Sequence, residues 1–230
     1  MTEAYLSPLW ISLKTVLTAT VITFFLGIAA ARWMARYSGK LKNLIDGIFI
    51  LPLVLPPTVV GFGLLLFFGK NGPLGGLLDL LGTTVVFSWP ATVISAVIMS
   101  FPLMYMSARG GFEQVDINIE NAARTLGASE WRIFWTVTMP LAWPAVVAAT
   151  ILAFARSLGE FGATLMLAGN IPGKTATIPV AIYFNIQAGH MDQALILVLI
   201  VLAISFASLA ALAYWKGKAR KVTPILTEKL

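Results

Sequence analysis

Five long, mostly apolar stretches follow one another along this chain, and that succession constrains its fold more than any other feature. They cover roughly residues 9–34, 45–68, 86–108, 140–168 and 192–215. A helix needs about 20 apolar residues to cross the hydrocarbon core of a bilayer, and there every backbone N–H and C=O must find a partner inside the protein. The stretches lack the period-two alternation of a transmembrane β-strand. Helices are therefore expected throughout, with the fourth stretch long enough to be tilted or broken. Hydrophobic residues make up 58% of the 230 and charged residues 11%, a balance that a water-soluble domain of this length does not reach. The expectation is an all-α polytopic membrane bundle of five transmembrane helices. It forms one domain over residues 1–230, with a core from about 10 to 215.

The net charge of +6 does not point to nucleic acid, because no basic face recurs along a polar segment. The cations gather instead at the ends of apolar stretches. Arg32, Arg36, Lys40 and Lys42 follow the first, Arg109, Arg124 and Arg132 follow the third, and Lys216, Lys218, Arg220, Lys221 and Lys229 follow the fifth. The remaining connections carry only Lys70 and Lys174. Positive charge concentrates on the cytoplasmic side of membrane proteins, so the N-terminus is expected outside and the C-terminus inside. A cytoplasmic loop then spans about 109–139 and a basic tail 216–230. Ala29 and Ala31 imitate a leader-cleavage site, but the cations follow the apolar run rather than precede it, as in a retained span. The outer connections, with Gly72-Pro73, Gly75-Gly76 and Ile171-Pro172-Gly173, hold too little polar sequence for a domain of their own. With no cysteine in the chain, disulfides, thiolate metal sites and thiol nucleophiles are closed.

The segment from Glu113 to Pro140 is too polar to cross a membrane, yet it contains helix-forming sequence. Small residues at Ala122, Ala123, Gly127 and Ala128 permit close approach of another backbone, and Gly127 permits a sharp turn. It has the character of a docking knob. Its pattern resembles the signature of bacterial ABC importer permeases, E-A-A-x-x-x-G followed nine residues later by I-x-L-P. In register with Gly127 stand Asn121-Ala122-Ala123 and Val137-x-Met139-Pro140, with Asn121 in place of the glutamate and Glu120 one position earlier. Three further runs are similar to the branch that carries molybdate, sulfate/thiosulfate or tungstate: Leu55 to Gly61 (LPPTVVG), Ala122 to Ala128 (AARTLGA) and Phe154 to Ala163 (FARSLGEFGA). The short chain favours molybdate within that branch.

The resemblance implies an inner-membrane permease that breaks no covalent bond and needs no cofactor. It would work with a second, identical permease subunit, two ATP-binding cassette subunits and a periplasmic or extracellular oxyanion-binding protein. It also implies that Glu120, Asn121, Ala122, Ala123, Arg124, Gly127 and Ala128 form a coupling helix seated on the ATPase.

Two intramembrane features are candidates for the gate or translocation path. Arg156 and Glu160 stand four apart on one helix face and can pair, about 24 Å along the helix from Pro140 and nearer the outer mouth. The pair could equally lock the fourth span to its neighbours, since buried pairs often serve structure alone. Pro56, Pro57, Thr58 and Gly61 interrupt backbone hydrogen bonding in the second span, as a fixed kink or a moving hinge.

Other features have plainer readings. Gly169 to Thr175 approaches a phosphate-binding loop, but Ala168 occupies the position of the first glycine and the charge rule puts the segment outside the cell. His190 lacks companion ligands for a metal. Trp10, Trp33, Trp89 and Trp215 lie at span ends, as in an interfacial belt. Glu113, Asp116, Glu120 and Glu130 are expected on a solvated helix face, with Glu120 and Arg124 an i,i+4 pair. A membrane-embedded enzyme built on Arg156 and Glu160 would need a convergent nucleophile or base that the spans do not offer.

Overall fold

The computed structural model describes residues 2–222, with side chains described for 6–214; residues 223–230 of the expected basic tail and the Trp215 side chain lie outside the described residues. All regular structure among them is helical. The chain runs through α1 (Thr2–Arg36), α2 (Lys42–Val54), α3 (Pro57–Phe68), α4 (Pro73–Leu80), α5 (Trp89–Glu113), α6 (Ile117–Thr125), α7 (Glu130–Ile133), α8 (Met139–Leu158), α9 (Gly162–Ala168), α10 (Ile178–Gln187) and α11 (Met191–Val222). A π-helical turn, Phe134–Thr138, joins α7 to α8 without a break.

Among the described residues, four helical stretches are long and apolar enough to cross a membrane: Leu6–Arg36, Trp89–Glu113, Glu130–Leu158 and Met191–Tyr214. The second expected span is not one straight helix. Pro56 and Pro57 divide it, and α2 meets α3 at a bend of 112°. Pro57 opens α3 at a position where a missing N–H costs nothing, so the proline pair makes an elbow rather than a kink within a continuous rod. The fourth expected span is also broken. Its helix begins ten residues earlier than expected, at Glu130, and stops at Leu158, leaving 162–168 as the separate α9. With α5 extending to Glu113, the polar connection narrows from 109–139 to residues 114–129.

Helix α5 stands at the centre. It pairs with α1 at a constant sequence offset: Thr15 bonds Thr92 at 2.9 Å and Thr23 bonds Ser100 at 3.1 Å, each 77 residues apart. Gly27 lies against Met104 in the same register, where a side chain would overlap Met104. A constant offset means that α1 and α5 run in the same direction. Helix α8 runs the other way along α5, with Thr150 beside Met104 and Gly111 beside Ala142 and Ala145. Helix α11 packs against α8 and α10; its Leu197 is buried with Ile178 and Ala181 in a cluster against which Leu9 of α1 packs, and Leu13 and Val16 share a small cavity with Ile204. The largest buried cluster, including Met34, Tyr105, Ala108, Val146 and Ala149, fills the seam between α1, α5 and α8. Its alanines, with Gly27 and Gly111 at the same seam, let backbones approach closely, the usual basis of helix association in lipid.

Candidate functional site

Arginines converge at the end of the bundle where α1 and α5 finish. Helix α6 starts there with the Asp116 side chain accepting from the Asn118 N–H at 2.9 Å, a helix N-cap. It ends in a Schellman motif: the Gly127 N–H donates to Arg124 O at 2.9 Å and the Ala128 N–H to Ala123 O at 3.1 Å. Gly127 takes φ +80°, and a Cβ there would meet nothing within 4 Å. The glycine is thus required by backbone conformation, not by space inside this chain.

Glu120 anchors α6 to the bundle. Expected on a solvated face, it is only 4% exposed. Its carboxylate accepts from Thr138 Oγ1 at 2.5 Å, from Arg36, from Arg124 at 3.4 Å and from Arg32 at 3.5 Å. The π turn brings Thr138 round to this position, with the Met139 N–H bonding Phe134 O. Burial alone pushes the Glu120 carboxyl up, but the Thr138 hydroxyl and the Arg36 and Arg32 guanidiniums outweigh it and hold it below its ordinary value. One side chain therefore ties α6 to the end of α1 and the beginning of the α8 rod. The other acidic residues divide the work. Asp116 caps α6, Glu113 pairs with Arg109 at 2.7 Å, and the exposed Glu130 takes Arg124 at 2.6 Å and also Arg36. Arg109 further binds Asp46 at 2.6 Å, fastening α2 to α5.

The opposite face of α6 is bare. Asn121, Ala122, Thr125, Leu126 and Gly127 are exposed, and Leu126 at 88% is the most exposed large hydrophobic residue described. Arg124 Nη1 donates to Asn121 Oδ1 at 2.6 Å, fixing the side chain at the position where the signature has glutamate. Sequence reasoning missed Arg32, Arg36 and Thr138 as partners of this element. Arg32 and Arg36 share one helix face four residues apart, the one local sign available.

The two intramembrane candidates are far apart in sequence but meet in space. Helix α3 crosses α9 through small residues: a Cβ on Gly61 would lie 2.7 Å from Ala163 Cα, and one on Gly162 would lie 2.9 Å from Pro57 Cβ. Arg156 and Glu160 pair at 2.9 Å. The second Glu160 oxygen accepts the Ala163 N–H at 2.8 Å, so this buried carboxylate closes the start of α9 just after the α8 break. Pro56, Pro57 and Thr58 are exposed on the elbow beside it. The loop that imitates a phosphate-binding motif is closed on itself, with buried Thr175 accepting the Ile171 N–H at 2.9 Å. His190 is exposed. Trp10 and Trp33 are exposed on α1, Trp33 in its last turn, whereas the half-buried Trp89 donates its indole N–H to Thr15 at 3.0 Å.

Comparison with known proteins gives concordant results. Residues 23–217 match the family described as binding-protein-dependent transport system inner membrane component. The molybdenum transport system permease protein ModB of Escherichia coli (strain K12) is 45% identical over 211 residues, 91% of this chain and 92% of that protein. ModB of Haemophilus influenzae is 43% identical over 215 residues, 93% of each. An inward-facing crystal structure of the MetNI methionine ABC transporter is similar with a TM-score of 0.71 at 15% identity, covering 97% of this chain and 98% of the other, a likeness of fold alone.

Proposed function

The chain belongs to the family of binding-protein-dependent transport system inner membrane components, and on that premise we propose that it carries molybdate as the permease subunit of an ATP-driven importer. It is a multi-pass inner-membrane component of a bacterial ABC transporter, and ATP hydrolysis belongs to a separate subunit. The relatives named as molybdenum permeases, matched almost end to end, support molybdate over sulfate, thiosulfate or tungstate.

Helix direction supports a reading of five crossings. Because α1 and α5 run parallel, the chain between them must recross the bilayer an odd number of times. The elbow of α2 and α3 supplies that crossing, since α4 with eight residues is about 12 Å long and too short. Helices α8 and α11 complete the set, and the positive-inside rule turns the arginine-rich end to the cytoplasm. The N-terminus is then outside, the C-terminus inside, and residues 1–230 form one permease domain.

One observation carries the mechanism: a short helix held from beneath by buried Glu120 while its other face is bare and tipped by Leu126. Helix α6 is the coupling helix. Asn121, Ala122, Ala123, Gly127 and Ala128 meet the ATP-binding subunit, while Glu120 and Arg124 fix the helix to the permease. When ATP closes the ATPase dimer, displacement of α6 passes through Glu120 to α1 and through Thr138 to α8. Helix α8 ends at the joint of α3 and α9, where Pro56, Pro57, Thr58, Gly61, Arg156 and Glu160 form the gate. Arg156 is largely neutralised by Glu160, which suits a gate more than a tight anion site. A second copy completes the path. Helix α2 buries no residue of its own and α3 exposes Val59, Phe62, Leu66 and Phe67, an apolar surface suited to that copy and to lipid. Molybdate arrives on a periplasmic or extracellular binding protein.

The test is ATP-dependent uptake of radiolabelled molybdate into proteoliposomes holding this chain, its ATPase and its binding protein, with excess sulfate as competitor. Uptake that survives sulfate and disappears in Gly127→Trp supports a molybdate importer coupled through α6. Uptake abolished by sulfate moves the substrate to the sulfate class, and uptake indifferent to Gly127→Trp refutes the coupling route.

A further inference from the structure

A groove of about 890 Å³ opens on the outer surface of the bundle between α1 and the continuous rod of α7, the π turn and α8. Its walls are apolar and aromatic, with Phe24, Phe25, Trp33, Trp135 and Trp143 among them, and its upper rim carries Arg32, Arg36 and Glu130, a net single positive charge. Phe24 lies eight residues before Arg32 on α1, so the apolar wall runs about 12 Å from the rim into the membrane. An aromatic cleft of this depth beneath a cation has the polarity profile of one phospholipid: acyl chain below, phosphate above.

The charges at the rim favour an anion. Among the described residues, Arg32 and Arg36 at the rim and Arg124 behind it share two carboxylates, Glu120 and the rim residue Glu130. Arg32 is the least satisfied of the three. Among the described residues its acceptor is Glu120 at 3.5 Å, and its guanidinium lies 5.2 Å over the Phe134 ring at the groove wall. A guanidinium has five N–H donors, so Arg32 keeps most of its hydrogen-bonding capacity for a ligand in the groove.

We infer that this groove binds an anionic phospholipid of the cytoplasmic leaflet, with Arg32 on the headgroup phosphate and the tryptophan wall along one acyl chain. The leaflet rests on the orientation proposed above. Lipid retention is measured on the permease alone, so it fails or succeeds independently of molybdate uptake.

The experiment is native mass spectrometry of the purified full chain in detergent, titrated with phosphatidylglycerol and, separately, phosphatidylethanolamine of the same acyl chains. Phosphatidylglycerol is expected to be retained about fivefold more tightly, the scale of one surface arginine. Arg32→Gln removes that preference. Trp143→Ala, which leaves the ion pairs intact, weakens retention of both lipids, so the proposal stays testable if Arg32→Gln misfolds. Arg132→Gln, equal in charge change but outside the groove, has no effect. Equal retention of the two lipids overturns the proposal, as does equal loss in Arg132→Gln, which would mean a diffuse surface field. Disulfide trapping between two copies through Trp143→Cys would also overturn it, by giving the groove to a second permease.

Discussion

Replacing Glu120 with Gln is the most informative perturbation, because it keeps the shape of the side chain and removes only its charge. Wild-type Glu120 is 5% exposed at the side chain, while its partners Arg32, Arg36 and Arg124 are 19–32% exposed. Breaking a fully buried ion pair costs about 3–5 kcal/mol because the orphaned charge stays dry. Here the orphaned arginines can partly rehydrate, and the Gln amide keeps the Thr138 hydrogen bond, so about 2 kcal/mol is expected. That corresponds to about a thirtyfold increase in the open population of α6. Hydrogen exchange read by mass spectrometry should show amides of 117–128 exchanging about thirtyfold faster while those of α5 are unchanged. The pH dependence has a definite sign. Glu120 has its folded pKa held below the ordinary value of 4.5, so its tether is fully present above about 4.5 and is lost as pH falls through the lower folded value. Protection of α6 should be level from about pH 7 to 5 and decline on the acid side, and Glu120→Gln should abolish that decline. Unchanged protection of α6 in the variant, or equal loss across α5 and α6, would refute the tether.

Glu130→Gln should have a far smaller effect in the same exchange measurement, because that carboxylate is exposed and its ion pairs are screened by water. Gly127→Ala should reduce ATP-dependent uptake and Gly127→Asn should reduce it less, since φ +80° costs Ala about 1–2 kcal/mol and Asn tolerates the left-handed region. At the α3 and α9 crossing, Gly61→Ala should lower the melting temperature in detergent by several degrees, the effect of about 1–3 kcal/mol of overpacking. Gly63→Ala, with nothing within 4 Å, should leave it unchanged. Arg156→Ala in properly assembled transporter should impair uptake, and Glu160→Ala should be worse than Glu160→Gln, whose carbonyl can still accept the Ala163 N–H.

Helix identity was legible because lipid permits so few alternatives: runs of apolar residues of spanning length had to be helices. The pairing of Arg156 with Glu160 was legible for a similar reason, being a local i,i+4 relation on one helix. Breaks were less visible. Pro56-Pro57 marked a disturbance, but whether a proline pair gives a kink or an elbow of 112° depends on what α3 packs against, namely Gly162 and Ala163 a hundred residues later. The end of α8 at Leu158 carried no proline signal. Glu120 was misread because composition made 113–130 look solvated, and its burial arises from Arg32 and Arg36, 88 and 84 residues away. A polar segment can hide its buried residue when the partners that neutralise it belong to another span. The function of Gly127 was read as a sharp turn and close approach; its geometry is a helix-terminating left-handed residue.

The constant offset of 77 residues between α1 and α5 also bears on how the chain is made. During synthesis α1 leaves the ribosome well before its parallel partner exists. At about 5–20 residues per second, the interval is of the order of ten seconds. Through that time Thr15 and Thr23 have no α5 hydroxyls to meet, and they must turn back onto their own helix or onto the insertion machinery. The first span therefore has to be apolar enough to wait in the bilayer, yet keep hydroxyls in the correct register for a neighbour that arrives only after α2 to α4 have been made.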